Sequence, residues 1–291
     1  MGNQPAKLKK VKIGLVQMSM SGERKKNLEK AAVMIKKASM KGAKIICLPE
    51  LFSTPYFPQD EHNEKKSHEL SEEIPGDTTR IMSVIARELR VVIIVPIYEV
   101  GKDKKYYNSA VVIDANGDIL SCYRKMHIPH DPYFWEKNYF EEGNYGFRVI
   151  QTRYGTIAPM ICFDQWFPEA ARISSLQGAD ILFYPTAIGW IRGLKTRDDW
   201  HDAWETVQRA HAIANGVYVA AVNRVGMERR MNFWGQSFVC DSFGKIIKRG
   251  NKKKDQVIVV DIDLSHNKIV QEGWGFFRNR RPASYDVLSQ V

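Results

Sequence analysis

Residues 11–50 read VKIGLVQMSMSGERKKNLEKAAVMIKKASMKGAKIICLPE, and their hydrophobic pattern changes twice. Apolar side chains alternate over 11–18, which predicts a β-strand. Over 24–41 they recur every three or four residues, which predicts an amphipathic helix that ends at Gly42. Residues 44–48 are short and apolar and are typical of a buried strand. This part of the chain is therefore predicted to form a β-α-β unit.

The same alternation continues through the first third of the chain. Residues 78–89 repeat the helical spacing and residues 91–98 form another apolar run, so we predict the order β-α-β-α-β. Three pairs of strand-like runs follow, each turning at a glycine-containing segment. These predicted hairpins cover 107–124, 147–162 and 237–248. We expect an α/β protein with mixed sheets and with helices on one face of each sheet.

The second half of the chain contains further helices and strands and no interdomain linker. The predicted helices are 168–177 and a segment around Trp204, and the predicted strands are 180–184, 217–222 and 257–262. No Pro-rich or Ser-rich linker and no repeat divides the sequence. We therefore predict a single domain over 1–291, with a core at about 10–264. The C-terminal tail, 265–291, shows little periodicity and is expected to pack on the body or on a partner subunit.

The composition is that of a folded protein with excess positive charge. The 291 residues include 43 Lys and Arg against 33 Asp and Glu, a net charge of +10, and the 44% hydrophobic content excludes intrinsic disorder. The basic clusters 7–12, 102–105 and 245–254 lack the interleaved aromatic residues typical of nucleic-acid-binding surfaces, which predicts solvated loops. We expect no nucleic-acid partner.

The sequence gives no sign of membrane insertion or of an oxidising compartment. No apolar run approaches the ~20 residues that cross a bilayer, and no signal peptide is recognised. The sequence has four cysteines, Cys47, Cys122, Cys162 and Cys240. They are far apart and form no C-x-x-C pair. We therefore expect free thiols, no membrane partner and a cytoplasmic location.

Common catalytic signatures are missing from the sequence. There is no G-x-S-x-G, no P-loop, no G-x-G-x-x-G and no H-E-x-x-H. His127 and His130 lie beside Asp131 and could suggest a metal, but Pro129 and Pro132 make this segment an irregular loop without ligand spacing. We predict no metal site.

Three chemically useful side chains come at the ends of predicted strands. Glu50, Lys125 and Cys162 each follow an apolar run, and the ends of strands are where α/β sheets place their sites. Together they offer a general base, a positive charge and a nucleophile. The alternative is that Cys162 is a buried small hydrophobe and that the two charged groups lie on the surface.

The segments that carry these residues resemble a known family. LPEL at 48–51, YRKMHIP at 123–129 and ICFDQWFPE at 161–169 are similar, in order and spacing, to the three catalytic blocks of the nitrilase superfamily, the carbon–nitrogen hydrolases. The resemblance covers about 10–265 and includes 108–109, 185–189, 214–216 and 223–226. The remote alternative is a non-catalytic basic interaction protein that kept a hydrolase fold.

The resemblance implies a fold, an assembly and roles for individual residues. It implies an α-β-β-α sandwich with mixed sheets, a homodimer or larger homo-oligomer, and no cofactor. Cys162 would be the nucleophile, Glu50 the general base and Lys125 the cation that stabilises the oxyanion, with Glu136 as a second glutamate beside them. The implied substrate-binding residues are Tyr56, Asn108, Phe163, Trp166, Thr186, Ala187 and Arg192, and the backbone N–H of Phe163 would complete the oxyanion hole.

The resemblance also narrows the substrate to a small amide or ureido compound. Phe163-Asp164 after the cysteine disfavours nitriles, and residues 164–172 are most similar to the branch that cleaves a terminal ureido group, releasing ammonia and carbon dioxide and leaving an amine. Overall similarity favours a ureido amine such as N-carbamoylputrescine, with Glu136 or the acidic residues Asp198 and Asp199 as candidates for holding its ammonium. The basic loop 190–197, with Arg192, would instead attract the carboxylate of a ureido acid. A plain aliphatic amide is a further alternative.

Overall fold

The computed structural model describes residues 10–194 and 199–290. Within them the strands are β1 (Lys10–Gln17), β2 (Ile45–Cys47), β3 (Val92–Val100), β4 (Tyr106–Ile113), β5 (Ile119–Arg124), β6 (Ile150–Thr152), β7 (Gly155–Pro159), β8 (Ile181–Thr186), β9 (Gly189–Ile191), β10 (Tyr218–Asn223), β11 (Val225–Glu228), β12 (Met231–Trp234), β13 (Phe238–Cys240), β14 (Ile246–Arg249) and β15 (Gln256–Asp263). The α-helices are α1 (Arg24–Met40), α2 (Glu64–His68), α3 (Asp77–Leu89), α4 (Pro168–Leu176), α5 (Asp199–Asn215) and α6 (Ser265–Trp274). Short 3₁₀ helices lie at Phe57–Gln59, Glu136–Asn138, Cys162–Trp166, Pro282–Ser284 and Asp286–Ser289.

Two six-stranded sheets form the body of the protein. The first has the order β15-β1-β2-β3-β4-β5, and the second has the order β14-β13-β10-β8-β7-β6. In the first sheet β1, β2 and β3 are parallel and the other neighbours are antiparallel. In the second sheet β7, β8 and β10 are parallel. Both sheets are therefore mixed, as the sequence predicts.

Apolar side chains from the two sheets meet face to face. Leu15 and Cys47 of the first sheet and Phe183 and Ala220 of the second are fully buried in one cluster. Because side chains alternate along a strand, the intervening residues point to the outer faces.

The outer faces of the sheets are covered by helices. Ile46 of the first sheet packs in a cluster with Ile35 of α1 and Ala86 of α3. Leu182 of the second sheet packs in a cluster with Trp204 of α5. The molecule is thus an α-β-β-α sandwich, and the predicted fold class is confirmed.

The structure contains a third sheet and two helices, α2 and α6, that the sequence patterns did not predict. Strands β11, β12 and β9 form a small antiparallel sheet, and strands of three or four residues are too short to show alternation. Helix α6 lies in the tail that we expected to lack periodicity, and it buries only Asn267 and Val270. Its Asn267 Nδ2 donates to the carbonyl of Asp180 at 2.8 Å, so this part of the tail packs on the body.

Two general features bear on the environment of the protein. None of the helices in the described ranges is long and apolar enough to cross a membrane. All four cysteines are free, with Cys47, Cys162 and Cys240 buried and Cys122 partly buried.

Candidate active site

The four predicted catalytic residues come from the ends of strands in both sheets and from one connecting loop. Glu50 follows β2, Lys125 directly follows β5, and Cys162 lies just beyond β7 as the first residue of a 3₁₀ helix. Glu136 begins another 3₁₀ helix in the loop between β5 and β6. Face-to-face packing of the sheets brings these strand ends together, which strand order alone does not reveal.

Lys125 lies between two carboxylates in the interior. Its Nζ is 3.0 Å from Oε1 of Glu50 and 2.5 Å from Oε2 of Glu136, and all three side chains are 0% exposed. Asn108 Nδ2 donates to Oε1 of Glu50 at 2.8 Å, and the Tyr56 hydroxyl donates to Oε1 of Glu136 at 2.7 Å. Buried charges are tolerated when they are paired and hydrogen-bonded in this way.

The Glu50 carboxylate retains one free oxygen. Its Oε1 accepts hydrogen bonds from both Lys125 and Asn108, whereas its buried Oε2 has no hydrogen-bond partner among the described residues. An unsatisfied buried acceptor is uncommon in folded proteins and is often functional. This oxygen is available to accept a proton.

The surroundings of Cys162 keep it a thiol at rest. Burial raises its pKa well above the ordinary value, and the carboxylates of Glu50 and Glu136 raise it further. The Lys125 ammonium and the backbone N–H of Ala187 act in the opposite direction with smaller effect. Since the thiolate is the nucleophilic form, a base must take the proton when substrate is present.

The pKa values of Lys125 and Glu136, which form an ion pair beside the thiol, are shifted both by this pairing and by burial. Burial lowers the pKa of Lys125, but Glu136 and Glu50 together outweigh this effect, so its pKa is raised and the group is an ammonium. Burial raises the pKa of Glu136 to about 7, with Lys125 opposing the shift and Glu50 adding to it.

The nucleophile is held in a strained backbone conformation. Cys162 has a φ of +42°, a backbone angle that residues other than glycine rarely adopt. Asp164 fixes this turn, because its Oδ2 accepts from the N–H of Ile161 at 2.9 Å and from the hydroxyl of Tyr123 at 2.7 Å. Its Oδ1 lies 2.7 Å from Nδ1 of His127. His127, considered above for a metal, therefore pairs with the carboxylate that shapes the turn.

A buried arginine clamps the segment that carries Glu50. Arg224 donates from Nε to the carbonyl of Glu50 at 3.0 Å and from Nη2 to the carbonyl of Leu51 at 2.6 Å. Its Nη1 is 2.9 Å from Glu228, whose Oε2 accepts from the N–H of Tyr56 at 2.7 Å. Leu51 has a φ of +48°, so the clamp holds a strained turn. Sequence reasoning gave no role to Arg224, since only a contact across the fold reveals it.

A cavity of about 490 Å³ opens onto the thiol. Cys162 and Glu136 line it together with Phe163 and Trp166, and most of the remaining wall is apolar. This volume is in the range of small-molecule binding sites. The site can therefore present a nucleophile to a small ligand, and the charges of Glu50, Lys125 and Glu136 act on its thiol.

Most of the chain matches a known family of enzymes. The carbon-nitrogen hydrolase family matches residues 12–268. The chain belongs to this family. It is a hydrolase that acts on carbon–nitrogen bonds, and the family resemblance noted above is confirmed.

Individual relatives of this hydrolase cover nearly all of its length. It is 40% identical to an N-carbamoylputrescine amidase from Oryza sativa subsp. japonica, over 96% of this chain and 94% of the relative. It is 36% identical to a citrullinase from Francisella tularensis subsp. tularensis, over 96% of this chain and 98% of the relative. A crystal structure of a carbon-nitrogen hydrolase from Helicobacter pylori G27 superposes with a TM-score of 0.91 at 38% identity, covering 96% and 98% of the two chains.

The structure places six of the hydrolase's seven predicted substrate-binding residues at or beside the site. Phe163 and Trp166 line the cavity. Tyr56 and Asn108 do not line the cavity, but they donate hydrogen bonds to the carboxylates of Glu136 and Glu50. Thr186 is buried with its Oγ1 3.5 Å from Gln165, another lining residue. The backbone N–H of Ala187 lowers the pKa of the Cys162 thiol, which places Ala187 beside the nucleophile.

The seventh predicted residue is not brought to the cavity. Arg192 is exposed, its backbone N–H donates to the carbonyl of Arg230 at 2.8 Å, and it does not line the cavity. Asp199 is exposed at the start of α5 and does not line it either. Asp198 and the rest of the basic loop, Lys195 to Arg197, lie outside the described residues.

Proposed function

We propose that this hydrolase cleaves the terminal ureido group of a small N-carbamoyl amine, with Cys162 as the nucleophile. The observation that carries the proposal is the thiol at an apolar cavity beside the buried Glu50, Lys125 and Glu136 cluster. Two relatives are named for N-carbamoylputrescine and citrulline, and both compounds end in a ureido group. A ureido carbonyl is a poor electrophile, so its attack needs both an activated nucleophile and a stabilised oxyanion.

The first half of the reaction forms a covalent adduct. Glu50 Oε2 accepts the proton of the Cys162 thiol as the sulfur attacks the ureido carbonyl carbon. The negative charge that develops on the carbonyl oxygen is stabilised by the Lys125 ammonium and by the backbone N–H of Phe163. When the tetrahedral intermediate collapses, the C–N bond to the terminal nitrogen breaks. That nitrogen takes the proton from Glu50 and leaves as ammonia.

The second half returns the free enzyme. Glu50, again a carboxylate, takes a proton from water, and the resulting hydroxide attacks the carbonyl carbon of the adduct. The carbon–sulfur bond breaks, and the proton returns from Glu50 to the sulfur of Cys162. The released carbamic acid splits into carbon dioxide and the amine. Glu136 acts as a positioning residue, because its Oε2 holds the Lys125 ammonium.

Ammonia release from purified protein tests the proposal. The wild type should release ammonia from N-carbamoylputrescine, and Cys162→Ala should lower the rate by at least about 10³-fold, because no other group supplies the nucleophile. Cys122→Ala, at a partly buried thiol outside the site, is the matched control and should keep the rate within about twofold. Activity retained by Cys162→Ala would contradict the proposed mechanism.

We further infer that the chain assembles into a homodimer or larger homo-oligomer through helical faces. Ile173 and Leu176 on α4 are 37% and 41% exposed, and Trp274 at the end of α6 is 51% exposed. Large apolar side chains exposed on helices are typical of a surface covered by another subunit. Light scattering of the purified protein measures the mass, and a monomer at micromolar concentration would refute the inference.

A further inference from the structure

We propose that Asp131 binds the ammonium at the far end of the substrate, so that the enzyme selects ureido amines over ureido acids. The inference rests on the proposed function and names the group that reads the distal end of the ligand. Among the described residues that line the cavity, Asp131 and Glu136 are the charged ones. Both are acidic, although the chain as a whole carries a net charge of +10.

The two carboxylates differ in how they are engaged. Glu136 is buried and already holds Lys125 and the hydroxyl of Tyr56. The side chain of Asp131 is exposed to solvent and forms no hydrogen bond or ion pair with any residue in the described ranges. Asp131 therefore has a free negative charge at the cavity that an incoming cation can use.

The loop that carries Asp131 is fixed before substrate binds. The N–H of Phe134 donates to the carbonyl of Asp131 at 2.7 Å, closing a tight turn in which Tyr133 has a φ of +69°. The N–H of Trp135 donates to the carbonyl of Pro58 at 2.9 Å. A carboxylate on a loop anchored in this way loses little conformational entropy when it pairs with a ligand.

The rest of the cavity suits a hydrocarbon chain between the two polar ends of the substrate. Phe134, Trp166 and Trp200 line it. Such walls accommodate methylene groups, and aromatic rings also favour a nearby ammonium. The guanidinium of Arg230 is held by the Tyr133 hydroxyl at 3.0 Å and does not line the cavity. Among the described lining residues no cation is available for a carboxylate, which Asp131 would repel.

Three ureido substrates with equal chain length test the inference. N-carbamoylputrescine ends in an ammonium, butylurea ends in a methyl group, and 4-ureidobutyrate ends in a carboxylate. For Asp131→Asn, kcat/KM for N-carbamoylputrescine should fall by about tenfold or more, while kcat/KM for butylurea should stay within about twofold. Discrimination against 4-ureidobutyrate should weaken in the same variant. Asp118→Asn removes an exposed charge in the turn between β4 and β5 that does not line the cavity, and it should leave all three values within about twofold.

The outcomes separate this inference from the proposed function. Equal losses for the charged and the neutral substrate, or no change for either, would overturn the role of Asp131 while leaving ureido hydrolysis intact. The same holds if the wild type prefers 4-ureidobutyrate, which would indicate a distal cation such as Arg192. Absence of ammonia from all three wild-type reactions would overturn the proposed function and, with it, the subsite.

Discussion

At the scale of single residues, the site depends on burying more negative than positive charge beside a thiol. Glu50 and Glu136 share one ammonium, Lys125, and all three side chains are 0% exposed. This arrangement keeps Cys162 protonated until the substrate arrives, since both carboxylates and burial raise the pKa of the thiol. It also leaves Glu136 with a pKa raised to about 7, close to the pH of most assays.

The raised pKa of Glu136 predicts how stability depends on pH. In the unfolded chain this carboxyl loses its proton near its ordinary value of 4.5, whereas in the folded protein it holds the proton up to about 7. The folded state therefore binds more protons between these values, and its free energy of unfolding decreases as pH rises through that window. Glu136→Gln removes this contribution. We expect the variant to gain stability relative to the wild type as pH rises from 5 to 8.

Urea unfolding at a series of pH values measures this difference. Glu142→Gln, at an exposed position, removes the same formal charge and is the matched control. A difference between Glu136→Gln and the wild type that is constant over the window, or that shrinks with rising pH, would contradict the account of this carboxyl.

At the scale of elements, the ends of strands are shaped by contacts from other parts of the chain. Arg224, at the end of β10, holds the carbonyls of Glu50 and Leu51 beyond β2. Asp164, in the 3₁₀ helix that Cys162 begins, holds the backbone just before the nucleophile. Each clamp joins groups that are distant in sequence or hidden in an irregular turn, so the strand ends are positioned by tertiary structure.

The Arg224 clamp predicts a loss of turnover rather than of substrate binding. Arg224→Lys keeps the charge but loses the planar group that reaches both carbonyls and Glu228. We expect kcat to fall by about tenfold to a hundredfold with KM changed by less than about threefold, because a small displacement of Glu50 weakens proton transfer. The free energy of unfolding should fall by about 2 kcal/mol.

The control is Arg249→Lys, at a partly exposed ion pair with Glu205, and it should change neither kcat nor the free energy of unfolding appreciably. A variant that is destabilised but keeps the wild-type kcat would give Arg224 a purely structural role.

The sequence predicts the large elements and the reactive groups better than the supports between them. Long periodic segments such as α1 and apolar runs such as β3 are determined by local pattern, so they can be read directly. The third sheet and α6 are set by tertiary contacts, because their own patterns are too short or too polar. Similarly, Glu50 and Cys162 stand in recognisable segments, whereas the role of Arg224 depends on a contact across more than 170 positions of the chain. Arg192 was selected by its charge and by its place in the loop after Gly189, and neither property fixes the direction of a loop side chain.

At the scale of the whole molecule, the sandwich is what assembles the site. Glu50 and Lys125 lie at strand ends of the first sheet and Cys162 lies beyond a strand of the second. The apolar layer that joins the sheets runs up to the nucleophile, since Cys162 and Ile161 belong to the same buried cluster as Leu15 and Phe183. The catalytic geometry therefore depends on the packing of one sheet on the other, and neither sheet contains the complete set of groups.

The central claim is that Cys162 attacks the ureido carbon and forms a covalent adduct. Rapid acid quenching of the enzyme with N-carbamoylputrescine, followed by intact-mass and peptide mass spectrometry, tests it most directly. We predict an adduct with the mass of the substrate minus ammonia, located on Cys162 and missing from Cys162→Ala. The claim would be contradicted by an adduct on Cys47, Cys122 or Cys240. It would also be contradicted if the wild type turned over fully with no adduct and Cys162→Ala kept undiminished activity.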